Sequence, residues 1–179
     1  MTGWKVLESR WLLQRPWASV RVERVQTAGG VVLEDYPLIH TRDWACVVSV
    51  TQDNQFVLVR QYRHGVGRET LEFPAGGIDA NESPLQAAER ELREETGYCA
   101  PIWEPLLTTY PETTRHDHRA HLFLARQAKL RAPPQLEPGE EVTVETLPLE
   151  QAAALRGRLS HGIHQLALLL ALEKLNAPW

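Results

Sequence analysis

The sequence predicts an α+β fold, because strand-like segments come first, one clear helix follows, and further strands precede two C-terminal helices. Apolar, β-branched runs dominate the first 75 residues, whereas the strongest helical pattern is confined to residues 83–96. This order lacks the regular alternation of strand and helix that builds a doubly wound parallel sheet. We therefore expect a layered fold.

Strands and turns are predicted through the first 75 residues. Val20, Val22 and Val25 lie in a run rich in Val, Arg and Glu, and Ala28-Gly29-Gly30 supplies a turn before Val31–Leu33, which predicts a hairpin. Residues 45–50 form a short apolar run that is typical of a buried strand. Further extended segments are predicted at residues 56–59 and 69–74.

The helix at residues 83–96 has a recognisable beginning, apolar face and end. Ser83 suits the N-cap and Pro84 suits the first helical position. Leu85, Ala88 and Leu92 form one apolar stripe, and Gly97 follows as a left-handed stop.

Beyond this helix we predict strands near residues 102–109 and 119–125. Residues 126–141 hold three prolines among polar residues, which predicts a loop. Two C-terminal helices are predicted, at Leu149–Arg156 and Ile163–Asn176.

Composition and charge exclude several classes of protein. The chain has 179 residues and a formal net charge of -4, which argues against nucleic acid or an anionic membrane as the main partner. Its two cysteines are too few for a disulfide scaffold, and its start lacks the apolar core of a signal peptide. We therefore expect a cytoplasmic location.

Three carboxylates on the helix carry the main functional signal. Glu91, Glu94 and Glu95 stand at i, i+3 and i+4, so they share one helical face within an arc of roughly 100°. Like charges at this spacing destabilise a helix, and a hard divalent cation would relieve their repulsion. Arg90 can pair with Glu94 one turn later. This acidic face suits Mg²⁺, with Mn²⁺ as a possible substitute, but the helix alone leaves open a second interpretation, a turn followed by a solvated acidic helix.

A glycine-containing loop, Leu71-Glu72-Phe73-Pro74-Ala75-Gly76-Gly77, precedes the acidic helix. Gly76 is followed at fixed spacings by Glu82 and by the segment Arg90-Glu91-Leu92-Arg93-Glu94-Glu95-Thr96-Gly97-Tyr98. This pattern resembles the Nudix box, which spans residues 76–98 here. Val59–Arg63, Phe123–Ala125 and Gly139–Val142 further resemble the ADP-ribose pyrophosphatase branch of that family.

The resemblance implies a fold, an activity and a set of site residues. The implied fold is an α/β/α sandwich around a mixed central sheet, with a β-rich N-terminal extension. The implied activity is Mg²⁺-dependent hydrolysis of the diphosphate bond in ADP-ribose or a related nucleoside diphosphate sugar. The implied metal ligands are Glu91, Glu95 and the Ala75 carbonyl, with Glu94 assisting and Glu82 in an outer carboxylate set.

Roles in binding and proton transfer follow from the same resemblance. Arg63 is expected to contact the diphosphate, because a planar guanidinium matches phosphate oxygens, and Arg60 is a weaker candidate. The expected general base is Glu140, on a late loop, with Glu141 and Glu94 as alternatives. Glu112-Thr113-Thr114 departs from the Pro-Gly turn common in the branch, which leaves the sugar open.

The resemblance also divides the chain and implies a homodimer. Residues 1–42 are expected to form the extension, for dimerisation and substrate binding, and residues 43–179 the hydrolase domain. Trp17 and Tyr36 in the extension are candidates to stack on a nucleobase. Two other functions remain open: a GDP- or UDP-sugar diphosphatase, and a catalytically silent nucleotide-binding module.

Overall fold

The computed structural model describes residues 3–177, which separate into two compact units. The smaller unit comprises the chain up to Asp43 together with Tyr110–Arg119, and the larger comprises Trp44–Thr109 and the chain from Ala120 onward. The strands are β1 (Lys5–Gln14), β2 (Ser19–Gln26), β3 (Val32–His40), β4 (Trp44–Thr51), β5 (Gln55–Arg63), β6 (Arg68–Glu72), β7 (Ala75–Gly77), β8 (Tyr98–Cys99), β9 (Ile102–Thr109), β10 (Ala120–Leu130) and β11 (Val142–Pro148). The helices are α1 (Pro84–Thr96), α2 (Ala152–Arg156) and α3 (Gly162–Leu175), and short 3-10 turns span His64–Val66 and Leu149–Gln151.

The smaller unit is built on an antiparallel sheet with the strand order β1-β2-β3. β2 and β3 form the predicted hairpin, with Gly30 in a left-handed conformation at the turn. The Ile39 amide donates to the Arg115 carbonyl at 2.7 Å, and the Tyr36 hydroxyl donates to the Thr114 carbonyl at 2.6 Å. These bonds attach the Tyr110–Arg119 segment to β3.

The larger unit contains a mixed sheet with the order β11-β5-β4-β10-β8. β6, β7 and β9 pair with β5, β4 and β10 respectively. β4 and β10 run parallel, whereas the other pairs in this sheet are antiparallel. The predicted mixed sheet is therefore confirmed.

Helices cover both faces of this sheet, and side-chain alternation along β4 shows why. Ala45 and Val47 belong to an apolar cluster with Leu92 of α1, whereas Cys46 and Val48 belong to a second cluster that includes side chains of α3. Successive strand residues point to opposite faces, so a strand apolar at every position needs cover on both sides. The expected α/β/α layering is confirmed.

The bounds of α1 agree with the sequence prediction. Ser83 accepts a hydrogen bond from the Gln86 amide, and the Gln86 side chain accepts one from the Ser83 amide, which completes a capping box. Gly97 closes the helix in the left-handed conformation, and its amide donates to the Arg93 carbonyl at 2.8 Å. A Cβ at Gly97 would collide with the Ala132 carbonyl, so this stop accepts only glycine.

Three parts of the structure differ from the predictions. The loop predicted at residues 126–141 is shorter, because β10 continues through an irregularity at Gln127 (φ 59°) as far as Leu130. β1 lies within the 40 residues predicted to be β-rich, whereas β11 has no predicted counterpart, because its alternation of polar and apolar residues is weak. Leu149–Arg156 is a 3-10 turn followed by the short α2 rather than one helix.

A buried histidine on α3 secures the backbone that follows β6. His164 Nδ1 accepts a hydrogen bond from the Phe73 amide at 3.1 Å. Because burial disfavours the imidazolium, the pKa of His164 is lowered to about 3. His164 therefore stays neutral in the native protein and holds the segment between β6 and β7.

We predict that His164 makes the protein sensitive to acid. Below pH 6.5 the unfolded chain binds a proton at His164 and the native chain does not, so stability falls as the pH falls. The loss from this residue alone is about 2 kcal/mol between pH 7 and pH 5. Urea unfolding of the wild type and of His164→Gln, whose side-chain oxygen can still accept the Phe73 amide, measures the difference. Identical pH dependence in the two proteins would contradict this role.

Candidate active site

Two buried carboxylates on α1 form the centre of the site. Glu91 and Glu95 lie one turn apart and are only 9% and 4% exposed, whereas Glu94 is partly exposed. Glu95 Oε2 accepts a hydrogen bond from the Ala75 amide at 3.1 Å, which joins α1 to β7. The structure thus brings together Ala75, Glu91, Glu94 and Glu95, four of the residues expected to form the metal site.

The guanidinium of Arg90 links the carboxylates of the site to each other. It donates to both oxygens of Glu82 at 2.9 Å, to Glu91 at 2.7 Å and to Glu94 at 3.2 Å. A further bond to the Gly77 carbonyl at 2.8 Å attaches it to the loop before α1. The predicted pairing of Arg90 with Glu94 is confirmed, and Glu82 joins the same network.

Burial leaves the two central carboxylates poorly compensated. Burial raises the pKa of Glu95 well above its ordinary value, the charge on Glu91 raises it further, and the Ala75 amide only partly opposes them. Burial also raises the pKa of Glu91, although the bond from Arg90 lowers it in part. In contrast, Arg90 lowers the pKa of the more exposed Glu82. A cation beside Glu91 and Glu95 would favour their ionised forms.

Gly76 is required because its backbone lies against the Glu91 carboxylate. A Cβ built at Gly76 would overlap all three atoms of that carboxylate group. The glycine therefore allows Glu91 to lie directly over the loop that presents the Ala75 carbonyl. This is the close backbone approach that glycine alone permits.

The loop before β11 places Glu140 within electrostatic range of this centre. Its negative charge contributes to raising the pKa of Glu91, Glu95 and Arg63. Its Oε2 accepts a hydrogen bond from the Glu137 amide at 2.9 Å, so the carboxylate is held by its own loop. Glu141, the alternative expected base, is also exposed.

The two candidate arginines of β5 have different surroundings. Arg63 pairs with the buried Glu72 of β6, and the charge of Glu95 affects its pKa. Arg60 pairs with Glu145 of β11 at 2.5 Å, and Glu145 also contacts Arg158 at 3.3 Å. The structure therefore associates Arg63, rather than Arg60, with the carboxylate centre.

The two candidate stacking residues belong to the smaller unit. Trp17 is 78% exposed. The Tyr36 ring carries the Arg115 guanidinium at 5.1 Å from its centroid and meets Trp4 edge-on at 5.7 Å. Tyr36 is thus engaged within its own unit, whereas Trp17 offers an open aromatic surface.

The comparisons with known proteins agree with this geometry. Residues 40–166 match the family described as the NUDIX domain, and residues 4–39 match the nucleoside diphosphate sugar hydrolase N-terminal domain. The chain belongs to the Nudix family. The matched range contains the acidic α1 and the glycine loop before it.

Among Nudix relatives, several carry names of diphosphate-hydrolysing enzymes. An ADP-ribose pyrophosphatase from Mycobacterium tuberculosis is 31% identical over 81% of this chain and 72% of its own length. An ADP-ribose pyrophosphatase from Bacillus subtilis is 34% identical over 61% of this chain, and the match spans 60% of that protein. The crystal structure of an ADP compounds hydrolase has the same fold, with a TM-score of 0.87 over 98% of this chain and 96% of that one, at 22% identity.

The donor set of this Nudix site fits a hard divalent cation. Among residues 3–177, no group of three or more His, Cys, Asp or Glu side chains is arranged so that it could hold a metal ion by itself. Mg²⁺ does not require such a group, because it usually keeps several waters and binds one or two carboxylates together with substrate phosphate. Glu91, Glu95 and the Ala75 carbonyl provide such an incomplete oxygen set.

Within residues 3–177, no helix is long and apolar enough to cross a membrane.

Sequence reasoning gave no role to Glu72 or His164. Glu72 lies between the core residues Leu71 and Phe73, so strand alternation points it away from their cluster. A carboxylate between two core residues is thus the sequence signal that could have identified Glu72: its side chain lies on the other face of the sheet, where it is also buried. His164 carried no comparable signal, because its partner is a backbone amide 91 residues earlier.

We predict that Gly76→Ala lowers the affinity for Mg²⁺ at least tenfold, because the new methyl group must displace Glu91 from the loop. Titration calorimetry measures the affinity. Gly162→Ala is the matched control, since a Cβ there meets nothing within 4 Å. Unchanged affinity in Gly76→Ala would contradict the placement of Glu91 as a ligand.

Proposed function

We propose that this Nudix protein is an Mg²⁺-dependent diphosphatase that acts on ADP-ribose or a related nucleoside diphosphate sugar. Its products would be a nucleoside monophosphate and a sugar phosphate. The observation that carries the proposal is the buried, poorly compensated pair Glu91 and Glu95 beside the Ala75 backbone. The names of the relatives from M. tuberculosis and B. subtilis support ADP-ribose as substrate.

Different residues of the chain would bind the metal and the diphosphate. Ala75, Glu91 and Glu95 would hold Mg²⁺, with Glu94 assisting and Glu82 positioned behind them by Arg90. When bound, the metal supplies charge neutralisation and Lewis acidity at the diphosphate. Arg63 binds diphosphate oxygens, and Arg60 is the weaker candidate because Glu145 already engages it.

Glu140 is the proposed general base. A water oxygen attacks one phosphorus atom, the bridging P–O bond breaks, and the carboxylate of Glu140 takes the proton that the water loses. The Pro138-Gly139 pair precedes Glu140, and Gly139 has a positive φ of 96°, so the loop turns sharply there. Such a loop can close over bound substrate and exclude water.

Three measurements test the proposed reaction. Release of AMP from ADP-ribose should require Mg²⁺ or Mn²⁺, and Glu95→Gln should lower kcat by at least about 10³, since metal stabilisation is worth several kcal/mol. A panel containing GDP- and UDP-sugars tests the wider substrate class that the N-terminal family match favours. A protein that is stabilised by ADP-ribose but releases no AMP would be a binding module instead.

We predict that Glu140→Gln lowers kcat by roughly 10²–10⁴, the range expected when a general base is lost. Mg²⁺ affinity should change little, because Glu140 is held by its own loop rather than by the α1 carboxylates. Glu141→Gln is the matched control and should affect kcat far less. The reverse order would move the base to Glu141, and full activity in both variants would favour Glu94.

The smaller unit is proposed to mediate homodimerisation, with Trp17 and Tyr36 available for substrate binding. Every residue of β1 is exposed, including Trp11, Leu12 and Leu13 at more than 40%. Apolar exposure on this scale is typical of a protein interface. Light scattering at micromolar concentration should therefore give twice the mass of one chain, and a monomeric mass would contradict the proposal.

We also propose a reducing, cytoplasmic setting. Both cysteines are free, and burial raises the pKa of Cys46, which makes its thiol unreactive. The chain thus folds without a disulfide.

A further inference from the structure

Arg63 is held by a buried carboxylate that sequence reasoning did not single out. Its Nε donates to Glu72 Oε1 at 3.0 Å and its Nη2 donates to Glu72 Oε2 at 2.5 Å. The Glu72 side chain is only 5% exposed, whereas that of Arg63 is 45% exposed. A buried acceptor thus fixes one side of a guanidinium whose remainder faces outward.

A third residue fixes the carboxylate itself. The Thr70 hydroxyl donates to Glu72 Oε1 at 2.7 Å, and Thr70 is buried on the same strand. Burial alone would raise the pKa of Glu72, but the bonds from Arg63 and Thr70 outweigh it and hold that pKa below its ordinary value. Glu72 is therefore an ionised carboxylate that accepts three hydrogen bonds, two from Arg63 and one from Thr70.

The pairing with Glu72 leaves the end of the Arg63 guanidinium, formed by Nη1 and Nη2, able to donate to a further acceptor. A guanidinium has five N–H donors, and Glu72 takes the side-on edge formed by Nε and Nη2. Three donors remain, two on Nη1 and one on the outer side of Nη2. The outer N–H of Nη2 and one N–H of Nη1 form the end-on fork, which matches two phosphate oxygens in a bidentate contact.

Hydrogen bonds connect Arg63 to the carboxylate centre through the β6–β7 segment. Arg63 bonds to Glu72, and Ala75, three residues after Glu72, donates its amide to Glu95 at 3.1 Å. The charges of Glu95 and Glu140 also act on the Arg63 guanidinium, which agrees with this placement. A long exposed arginine held at one end only would sample many rotamers and lose conformational entropy on binding. A guanidinium that Glu72 already holds loses less conformational entropy when substrate binds.

We propose that Glu72, supported by Thr70, is a positioning residue that orients the end-on fork of Arg63 toward the substrate diphosphate. This inference rests on the proposed diphosphatase function. Glu72 itself touches neither substrate nor metal and acts only through Arg63. Its loss should therefore weaken substrate binding more than it slows the chemical step.

The main variant is Glu72→Gln, which keeps the size of the side chain. The amide end replaces one acceptor oxygen with an N–H₂ group, so the side-on edge of Arg63 loses a bond and faces a donor. We expect KM for ADP-ribose to rise 10- to 100-fold and kcat to fall less than fivefold. The Mg²⁺ concentration for half-maximal activity should not change.

Glu104→Gln is the matched control. It breaks another Arg–Glu pair between neighbouring strands of the larger unit, that of Arg126 and Glu104 at 3.3 Å, to which the proposed function assigns no role. It leaves the bonds of Arg63 intact, so KM should stay within about twofold of the wild type. An equal rise in KM in both variants would mean that loss of any surface arginine pair has this effect, which would overturn the inference.

A double-mutant cycle separates positioning from a direct role. Arg63→Met should raise KM at least as much as Glu72→Gln, and adding Glu72→Gln to Arg63→Met should raise it no further, because Glu72 then has nothing to orient. Additive effects would show that Glu72 acts on substrate by itself and would overturn the inference. If Arg63→Met leaves KM unchanged, the substrate role of Arg63 in the proposed function fails as well.

Thr70 keeps the inference testable if Glu72→Gln does not fold. Thr70→Val has the same shape without the hydroxyl, and Thr70→Ser restores the hydroxyl. We expect KM to rise several-fold in Thr70→Val and to return close to the wild-type value in Thr70→Ser. Wild-type KM in both Thr70 variants, or an equal rise in both, would contradict a role for the Thr70–Glu72 bond.

Discussion

The arrangement of the site depends on the hydrogen bonds that the Arg90 guanidinium makes to the carboxylates around it. Glu82, Glu91 and Glu94 each bond to it, and the Gly77 carbonyl ties it to the loop. One positive charge cannot compensate several negative ones in a partly buried site, and Glu95 receives no bond from Arg90 among the contacts of the described residues. The protein is therefore organised around an excess of negative charge that a divalent cation would balance.

The fold keeps this excess charge in place from several directions. β7 presents the Ala75 amide to Glu95, and the Pro74 carbonyl accepts the Val47 amide of the central β4 at 2.9 Å. His164 of α3 secures the neighbouring Phe73 amide from the opposite layer. The loop between β6 and β7 is thus bonded to both helical layers and to the sheet between them. Such support holds carbonyl and carboxylate oxygens at fixed positions, as a metal site requires.

Much of the site could be predicted from sequence because its signals are local. The capping box, the Gly97 stop and the carboxylate spacing all lie within α1 or next to it. The partners of Arg60, Arg63 and the Phe73 amide lie on other strands or on α3, and no local pattern encodes those pairings. β11 was missed for a similar reason, since its register against β5 is set by tertiary packing rather than by its own weak alternation.

If Glu95 is an Mg²⁺ ligand, as proposed, its buried carboxylate should destabilise the metal-free protein, and Mg²⁺ should remove that destabilisation. Burial and the charge on Glu91 raise its native pKa, so the stability that its protonated form provides at low pH is lost as the pH rises toward neutrality. The most direct measurement is the free energy of unfolding of the wild type and of Glu95→Gln at pH 7, in EDTA and in Mg²⁺. We predict that Glu95→Gln is the more stable protein in EDTA and that Mg²⁺ stabilises the wild type far more than the variant. A variant that is less stable in EDTA, or that gains as much from Mg²⁺ as the wild type, would contradict it.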